Sequence, residues 1–160
     1  MDRYLLKKSE IEDLPGIDKT HFLNVNAKRN NKSLGDLTGI TGFGFHIIEV
    51  PPGCESTEYH VHRYEDECVY ILAGEAVITI GVETFEVSSG DFIGYRANGL
   101  PHTMKNTGEV TLKCIVVGER LAHEVVDYPN LDKRLFCNKG QPWDLVDKDS
   151  IENPNAGKKA

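Results

Sequence analysis

Short apolar runs separated by turn residues dominate the chain from residue 43 to residue 118. The turn residues, mainly Gly, Pro, Ser and Asn, recur at intervals of roughly eight to twelve positions, as they do in β-sandwiches and β-barrels. No segment between the runs has the period of about 3.6 residues typical of an amphipathic helix. The pattern predicts an all-β fold, a jelly roll or double-stranded β-helix barrel. Its strands are expected at 43–50, 58–63, 68–73, 76–80, 84–87, 91–95, 102–106 and 110–118.

The segment 1–42 has a looser pattern, which predicts an arm packed on the barrel. Ser9 and the acidic residues after it predict one helical turn. Leu34, Leu37 and Ile40 recur at every third position and predict a second turn that docks on a sheet. The rest of this segment is rich in Asn, Gly, Ser and Thr, and it gives no sign of function.

The segment 119–160 is expected to return to the barrel as a strand and a tail. The run 123–128, HEVVDY, predicts an edge strand, and Trp143 predicts a contact with the barrel or with a neighbouring subunit. The end of the chain is expected to be frayed. At 160 residues the chain fits one domain of ordinary size, with the barrel core at 43–118.

Charge and composition exclude one class of function. The chain has 25 acidic and 18 basic residues, which give a net charge of −7. The basic pairs Lys7-Lys8, Lys28-Arg29 and Lys158-Lys159 are scattered, and we interpret them as solvated surface. Because no basic stripe is present, nucleic-acid binding is not expected.

The sequence contains neither a visible signal peptide nor a stretch that approaches the roughly 20 apolar residues of a membrane span. We therefore expect a cytoplasmic protein without a membrane partner. A cytoplasmic setting and the lack of a Cys-x-x-Cys pair disfavour disulfides and zinc ribbons, so the cysteines are expected to be inert thiols. They are Cys54, Cys68, Cys114 and Cys137.

Candidate chemistry is concentrated at His60 and His62, with Glu67 five residues further on. Two histidines separated by one residue lie on the same face of a strand, because side chains alternate between the two faces. Glu67 joins them if the chain bends back, and His102 on a later strand is a candidate fourth ligand. Imidazole and carboxylate ligands suit iron, manganese, nickel or zinc better than calcium or magnesium. The alternative is that all four are polar residues on solvated strand faces.

A resemblance to the cupin superfamily favours the metal site. The first cupin motif is a glycine, five or six residues, His-x-His, three or four residues, Glu, six residues and Gly. Here Gly53 is followed by six residues, by His60 and His62, then by four residues, Glu67, six residues and Gly74. This spacing is far more specific than a lone His-x-His pair.

The second cupin motif is a glycine, five residues, Pro-x-Gly, two residues, His, three residues and Asn. In this chain Gly90, His102 and Asn106 match it. Arg96 stands where proline is usual, and Gly99 comes one place late. The resemblance implies a cupin barrel in which His60, His62, Glu67 and His102 bind the metal.

Three further residues near the predicted site are candidates for catalysis. Glu58 shares the parity of the histidine pair, so it is either a general base at the cavity mouth or a rim carboxylate. Tyr95 ends a predicted strand beside the site. Arg96 could hold a phosphate or carboxylate in two hydrogen bonds, or it could pair with an acidic neighbour at the surface.

Cys114 is expected to point inward, where it is either a thiol near the ion or a buried inert residue.

Within the superfamily, the run EDECVYILAGEAVITIG resembles small single-domain bacterial cupins that are named sugar phosphate isomerases by similarity. This resemblance implies a metalloenzyme acting on a small polar substrate such as a sugar phosphate or a carboxylic acid. Two alternatives are a small-molecule binding or sensing protein without catalysis and an iron-dependent dioxygenase. A homodimer is expected because an open sheet edge must be covered, and the N-terminal arm and C-terminal tail could cover it.

Overall fold

The computed structural model describes residues 3–154 and 156–157. The Lys158-Lys159 pair and part of the predicted frayed end lie outside the described residues. Within that part of the chain there are thirteen strands and four short helices. The strands are β1 (Ile17–His21), β2 (Asn24–Ser33), β3 (Phe43–Val50), β4 (Val61–His62), β5 (Glu67–Ala73), β6 (Glu75–Ile80), β7 (Glu83–Ser88), β8 (Phe92–Tyr95), β9 (His102–Asn106), β10 (Leu112–Glu119), β11 (His123–Tyr128), β12 (Lys133–Asn138) and β13 (Asp144–Asp147). The helices are α1 (Lys8–Glu12), α2 (Leu34–Thr38) and 3-10 turns at Pro129–Leu131 and Lys148–Ser150.

The strands form three antiparallel sheets. The largest has the order β1-β2-β3-β10-β5-β8, the second β13-β12-β11-β4 and the third β7-β6-β9. An isolated bridge between His60 and His102 links the start of β4 to β9. The all-β jelly-roll prediction is confirmed. The longest helices described here span five residues, too few to cross a lipid bilayer.

The strands of the barrel core lie close to their predicted positions. The predictions 43–50 and 102–106 coincide with β3 and β9, whereas 58–63 yields only the two-residue β4. Both predicted helical turns are present as α1 and α2. Gly74 makes the tight turn between β5 and β6 at a φ of +85°, where an added Cβ would lie 3.0 Å from Leu112 Cα. Glycine tolerates this left-handed backbone conformation without the steric cost that a side chain brings.

The predicted edge strand at 123–128 is wrong in its placement. This segment is β11, and it lies between β12 and β4 in the second sheet. Every residue from Glu124 to Tyr128 is buried. Four strands were not predicted: β12 and β13 continue the second sheet beyond β11, and β1 and β2 extend the first sheet from β3.

The apolar core lies on the inner face of the six-stranded sheet. Cys114 on β10 pairs with Ile48 on β3 and with Ile71 on β5, and Leu112 pairs with Val50. Of these, Ile71, Leu112, Val50 and Cys114 have no exposed surface. Full burial of each large aliphatic side chain stabilises the fold by about 1.5 to 3 kcal/mol. The inward parity predicted for Cys114 is confirmed.

Candidate metal centre

A cavity of about 870 Å³ opens on the inner face of the six-stranded sheet. This volume lies within the range of small-molecule sites, about 300 to 1,000 Å³. Residues from ten strands line it, and the loop after β12, which contains Trp143, also contributes. Representative lining residues are Arg29 on β2, His46 on β3, Glu67 on β5, Tyr95 on β8, His102 on β9, Val116 on β10 and Tyr128 on β11.

The four predicted metal ligands all line this cavity. His60 and His102 exchange two backbone hydrogen bonds, of 3.1 Å and 2.8 Å, so their rings are held with centroids 4.6 Å apart. The Nε2 atoms of His60 and His62 are 3.1 Å apart. His102 Nε2 lies 3.9 Å from Glu67 Oε1. The fold thus brings together four residues that are separated by up to 42 positions in the sequence.

Backbone carbonyls fix the orientation of two of these rings. His60 Nδ1 donates to the carbonyl of Glu58 at 2.7 Å, and His102 Nδ1 donates to that of Leu100 at 3.4 Å. A carbonyl oxygen only accepts hydrogen bonds, so in the neutral rings the proton is on Nδ1 and the Nε2 lone pair is free. This arrangement is the usual support for a histidine that binds a metal through Nε2.

Burial keeps these imidazoles neutral. Burial, together with the neighbouring His102 and His62, holds the pKa of His60 well below its usual value. Burial also lowers the pKa of His102 to about 4. At neutral pH both Nε2 atoms therefore carry a lone pair: that of His60 lies within hydrogen-bond distance of His62 Nε2, whereas His102 Nε2 is a buried atom without a hydrogen-bond partner among the described residues.

The donor types suit a divalent metal ion, and one of their spacings is compatible with coordination. Two nitrogen ligands at a right angle, each about 2.1 Å from the metal, are about 3.0 Å apart, close to the 3.1 Å between His60 and His62 Nε2. The orphaned Nε2 of His102 lacks the partner that buried polar atoms normally have. This His/Glu cluster could therefore hold such an ion.

A second acidic grouping shares His62. Ligand atoms of His62, Glu65 and Glu124 lie within 4.8 Å of one another, and Glu124 is buried. However, the Glu124 carboxylate already accepts hydrogen bonds from the backbone N–H groups of Arg63, Tyr64 and Glu65, at 2.6 to 3.3 Å. These donors compensate its buried charge. Glu124 is therefore better explained as the residue that stabilises the turn between β4 and β5 than as a metal ligand.

Glu124 was not predicted as a functional residue. Its side chain closes the turn that separates His62 from Glu67, and it also accepts from its neighbour Val125 N at 2.7 Å. No local motif marks such a role, since the residues it holds are 59 to 61 positions away in sequence.

The three candidate catalytic residues have different surroundings. Tyr95 lies in the cavity and stacks on His102, with ring centroids 3.5 Å apart and planes 3° apart. Burial and the nearby Glu67 raise its pKa, so the phenol stays protonated. Glu58 lines a separate pocket of about 450 Å³, and Arg96 is exposed at the surface. The structure therefore brings only Tyr95 into the cavity.

A cation missed by the sequence analysis also lines the cavity. The interpretation of Lys28-Arg29 as solvated surface is wrong for Arg29, because β2 alternates and turns this side chain inward while Lys28 is exposed. Burial lowers the pKa of Arg29, and the Glu67 carboxylate opposes that effect. Charged groups face this cavity from both the N-terminal strands and the motif strands.

Fold and site together define a jelly-roll barrel with a histidine and glutamate cluster inside, and the comparisons with known proteins specify its family. The cupin domain model matches residues 46–118. A crystal structure described as "Putative sugar phosphate isomerase" from Acidithiobacillus ferrooxidans is 45% identical, covers 96% of this chain and 97% of that chain, and superposes with a TM-score of 0.91. The chain therefore belongs to the cupin superfamily.

Two curated relatives are more distant. An oxalate-binding protein of Thermotoga maritima is 29% identical over 101 residues, which cover 63% of this chain and 74% of that protein. An uncharacterized protein of Methanocaldococcus jannaschii is 41% identical over 66 residues. That match covers 41% of this chain and about half, 51%, of the other protein.

Proposed function

We propose that this protein is a cupin metalloenzyme that acts on a small polar substrate, such as a sugar phosphate or a carboxylic acid, with isomerase-like chemistry. The observation that carries the proposal is the convergence of His60, His62, Glu67 and His102 on one cavity, with the rings of His60 and His102 neutral and His102 Nε2 without a partner among the described residues. The similarity to the Acidithiobacillus protein, along nearly the whole chain, supports the substrate class.

In this proposal His60, His62, Glu67 and His102 hold iron, manganese, nickel or zinc. A bound divalent ion supplies Lewis acidity toward a substrate oxygen and lowers the pKa of bound water. Tyr95 supports His102 by stacking, and its protonated phenol can donate a hydrogen bond to a ligand in the cavity. Val116 and Met104 form apolar parts of the lining, which limit water around a bound substrate.

The test is turnover by the purified protein loaded with each of the four metals in turn. Sugar phosphates and keto acids are incubated with each form, and products are followed by proton NMR. We expect one substrate class to be converted, with His60→Ala inactive under the same conditions. No conversion by any metal-loaded form on a broad panel would contradict the enzymatic proposal.

A second candidate function is the binding of a small dicarboxylate without conversion. The similarity to the oxalate-binding protein of Thermotoga maritima favours it. A binding protein should gain thermal stability with oxalate, because a ligand that binds only the folded state stabilises it. Stabilisation by oxalate without product supports this candidate, whereas product formation that His60→Ala abolishes excludes it.

We also propose a homodimer that uses the outer face of the six-stranded sheet. Phe92 on the edge strand β8 pairs with Tyr70, and Tyr70 pairs with Ile115. Phe92 and Tyr70 are 67% and 42% exposed in the single chain. An unpaired edge beside an apolar row is a surface that proteins normally cover. Light scattering should give the mass of two chains, and Phe92→Glu should lower it; a monomeric wild type would contradict the proposal.

A further inference from the structure

The cavity contains a cationic side chain whose charge has no ion-pair partner in the described part of the chain. Arg29 projects from β2 into the cavity that also contains the histidine cluster. It takes part in none of the ion pairs found among residues 3–154 and 156–157. Arg29 is partly buried, and removing a charge from water without a counter-ion is costly, so proteins rarely keep such a charge without a use.

Local contacts hold Arg29 in place without neutralising it. Strand β2 is tied to the segment before the histidine pair by hydrogen bonds of 3.0 Å from Lys28 N to Glu55 O and 3.1 Å from Glu55 N to Asn26 O. Arg29 Nη1 donates to the carbonyl of Ser56 at 2.8 Å. This is the side-chain hydrogen bond found for Arg29 in the described chain, and the guanidinium has five N–H donors in all.

The other groups near Arg29 do not replace a counter-ion. The acidic side chain that acts on its pKa is Glu67, which belongs to the proposed metal site and whose own pKa is raised by burial. The histidines His21 and His46 have lowered pKa values, mainly because of burial and partly because of Arg29. Arg120, which also lines the cavity, is already paired with Asp36. Lys19 and Lys139 also line the cavity, but both are exposed to solvent. Arg29 is therefore the partly buried cation available to a ligand.

We propose that Arg29 binds the oxyanion, a phosphate or carboxylate group, of the ligand that occupies the cavity. A planar guanidinium matches such a group because it can donate two parallel hydrogen bonds to it. This inference rests on the proposed function for the remainder of the ligand site, and it assigns the anion-binding role to a residue outside both cupin motifs. Arg96, the arginine at the proline position of the second motif, is exposed, so it is not assigned this anion-binding role.

The experiment titrates inorganic phosphate and oxalate separately into the full-length protein by calorimetry, with and without metal. Arg29→Gln should bind the anion about tenfold to a hundredfold more weakly than wild type, the loss expected for hydrogen bonds to a charged group. Arg29→Lys should retain part of the affinity, since it keeps the charge but loses the planar fork. The matched control, Arg96→Gln, should bind like wild type.

The metal-free titrations separate this inference from the metalloenzyme proposal. If wild type binds no metal but Arg29→Gln loses phosphate or oxalate affinity, the metal site fails and the inference on Arg29 stands. If Arg29→Gln binds both anions as tightly as wild type, the inference is overturned whatever the metal content. Tighter binding of phosphate or of oxalate assigns the oxyanion class.

If Arg29→Gln does not fold, a crystal structure of the wild type with inorganic phosphate answers the same question. An oxygen of the phosphate within hydrogen-bond distance of the Arg29 guanidinium is expected. A phosphate bound in the cavity away from Arg29, or bound only at the surface, would overturn the inference.

Discussion

The two sides of the cavity differ in how strongly the sequence encodes them. The motif side, on β4, β5 and β9, has the candidate ligands at fixed spacings and apolar neighbours such as Val69 and Met104 that fill the core. The N-terminal side, on β1 and β2, presents Arg29 and Asn31 to the cavity and polar residues to solvent. A functional face can therefore be built on a strand that has no apolar face. We infer that the motif side binds metal and that the N-terminal side binds the anion.

The largest expected difference between the two sides is in stability. Ile71→Ala on β5 removes a side chain with no exposed surface, and it should lower the free energy of unfolding by about 2 to 5 kcal/mol. Val25→Ala on β2 changes a residue that is 82% exposed, and it should change that free energy by less than about 0.5 kcal/mol. Urea unfolding of both variants measures the contrast. Equal losses would show that the N-terminal side belongs to the same core.

The next expected effect is a pH dependence of stability that comes from Asp127 on β11, the strand next to β4. Burial of Asp127 would raise its pKa, but hydrogen bonds and charge from Arg134 and Arg63 outweigh that effect and lower the pKa to about 2. Because the folded-state pKa is below the unfolded value of about 3.9, the stabilisation is present above pH 3.9 and is lost as the pH falls toward 2. It amounts to about 2 to 3 kcal/mol.

Asp127→Asn tests this pH dependence. The difference in unfolding free energy between wild type and variant should be largest near pH 7 and should shrink between pH 5 and pH 2, as Asp127 becomes protonated in the wild type. Urea unfolding at several pH values gives this difference. A difference that stays constant down to pH 2 would mean that the pairing of Asp127 with Arg63 and Arg134 does not stabilise the fold.

A smaller effect separates the two carboxylates near His62. Glu67→Gln should weaken binding of a divalent metal at least about tenfold, because a ligand is lost. Glu124→Gln should mainly destabilise the fold, by about 1 to 3 kcal/mol, because backbone N–H groups lose a charged acceptor. Competition with a metal indicator dye and urea unfolding measure the two quantities. Weaker metal binding in Glu124→Gln than in Glu67→Gln would make Glu124 the ligand.

The motif side could be predicted because its signals are local. The alternation of side chains along a strand predicted that Cys114 points inward, and it is buried. The motif spacing predicted the candidate ligands, which all line the cavity: His60, His62, Glu67 and His102. Their role as ligands stays a prediction, as do the domain limits.

The N-terminal side could not be predicted because strand recognition depends on an apolar face. Apart from Ala27, the run AKRNNKS of β2 is polar on both faces, since one face lines the cavity and the other meets solvent. It pairs with β3 through hydrogen bonds between residues that are far apart in sequence, and a local sequence pattern cannot indicate such bonds. Glu124 could not be predicted for the same reason, because its partners are three backbone N–H groups on a turn that is distant in sequence.

Metal analysis of the purified protein tests the central claim most directly. Wild type supplied with iron, manganese, nickel and zinc should retain about one divalent ion per chain, as measured by mass spectrometry of the digested sample. Arg29→Gln should retain the same amount, whereas His102→Ala should lose the ion. A wild type that retains no stoichiometric metal, or a His102→Ala variant as fully loaded as wild type, would contradict the account.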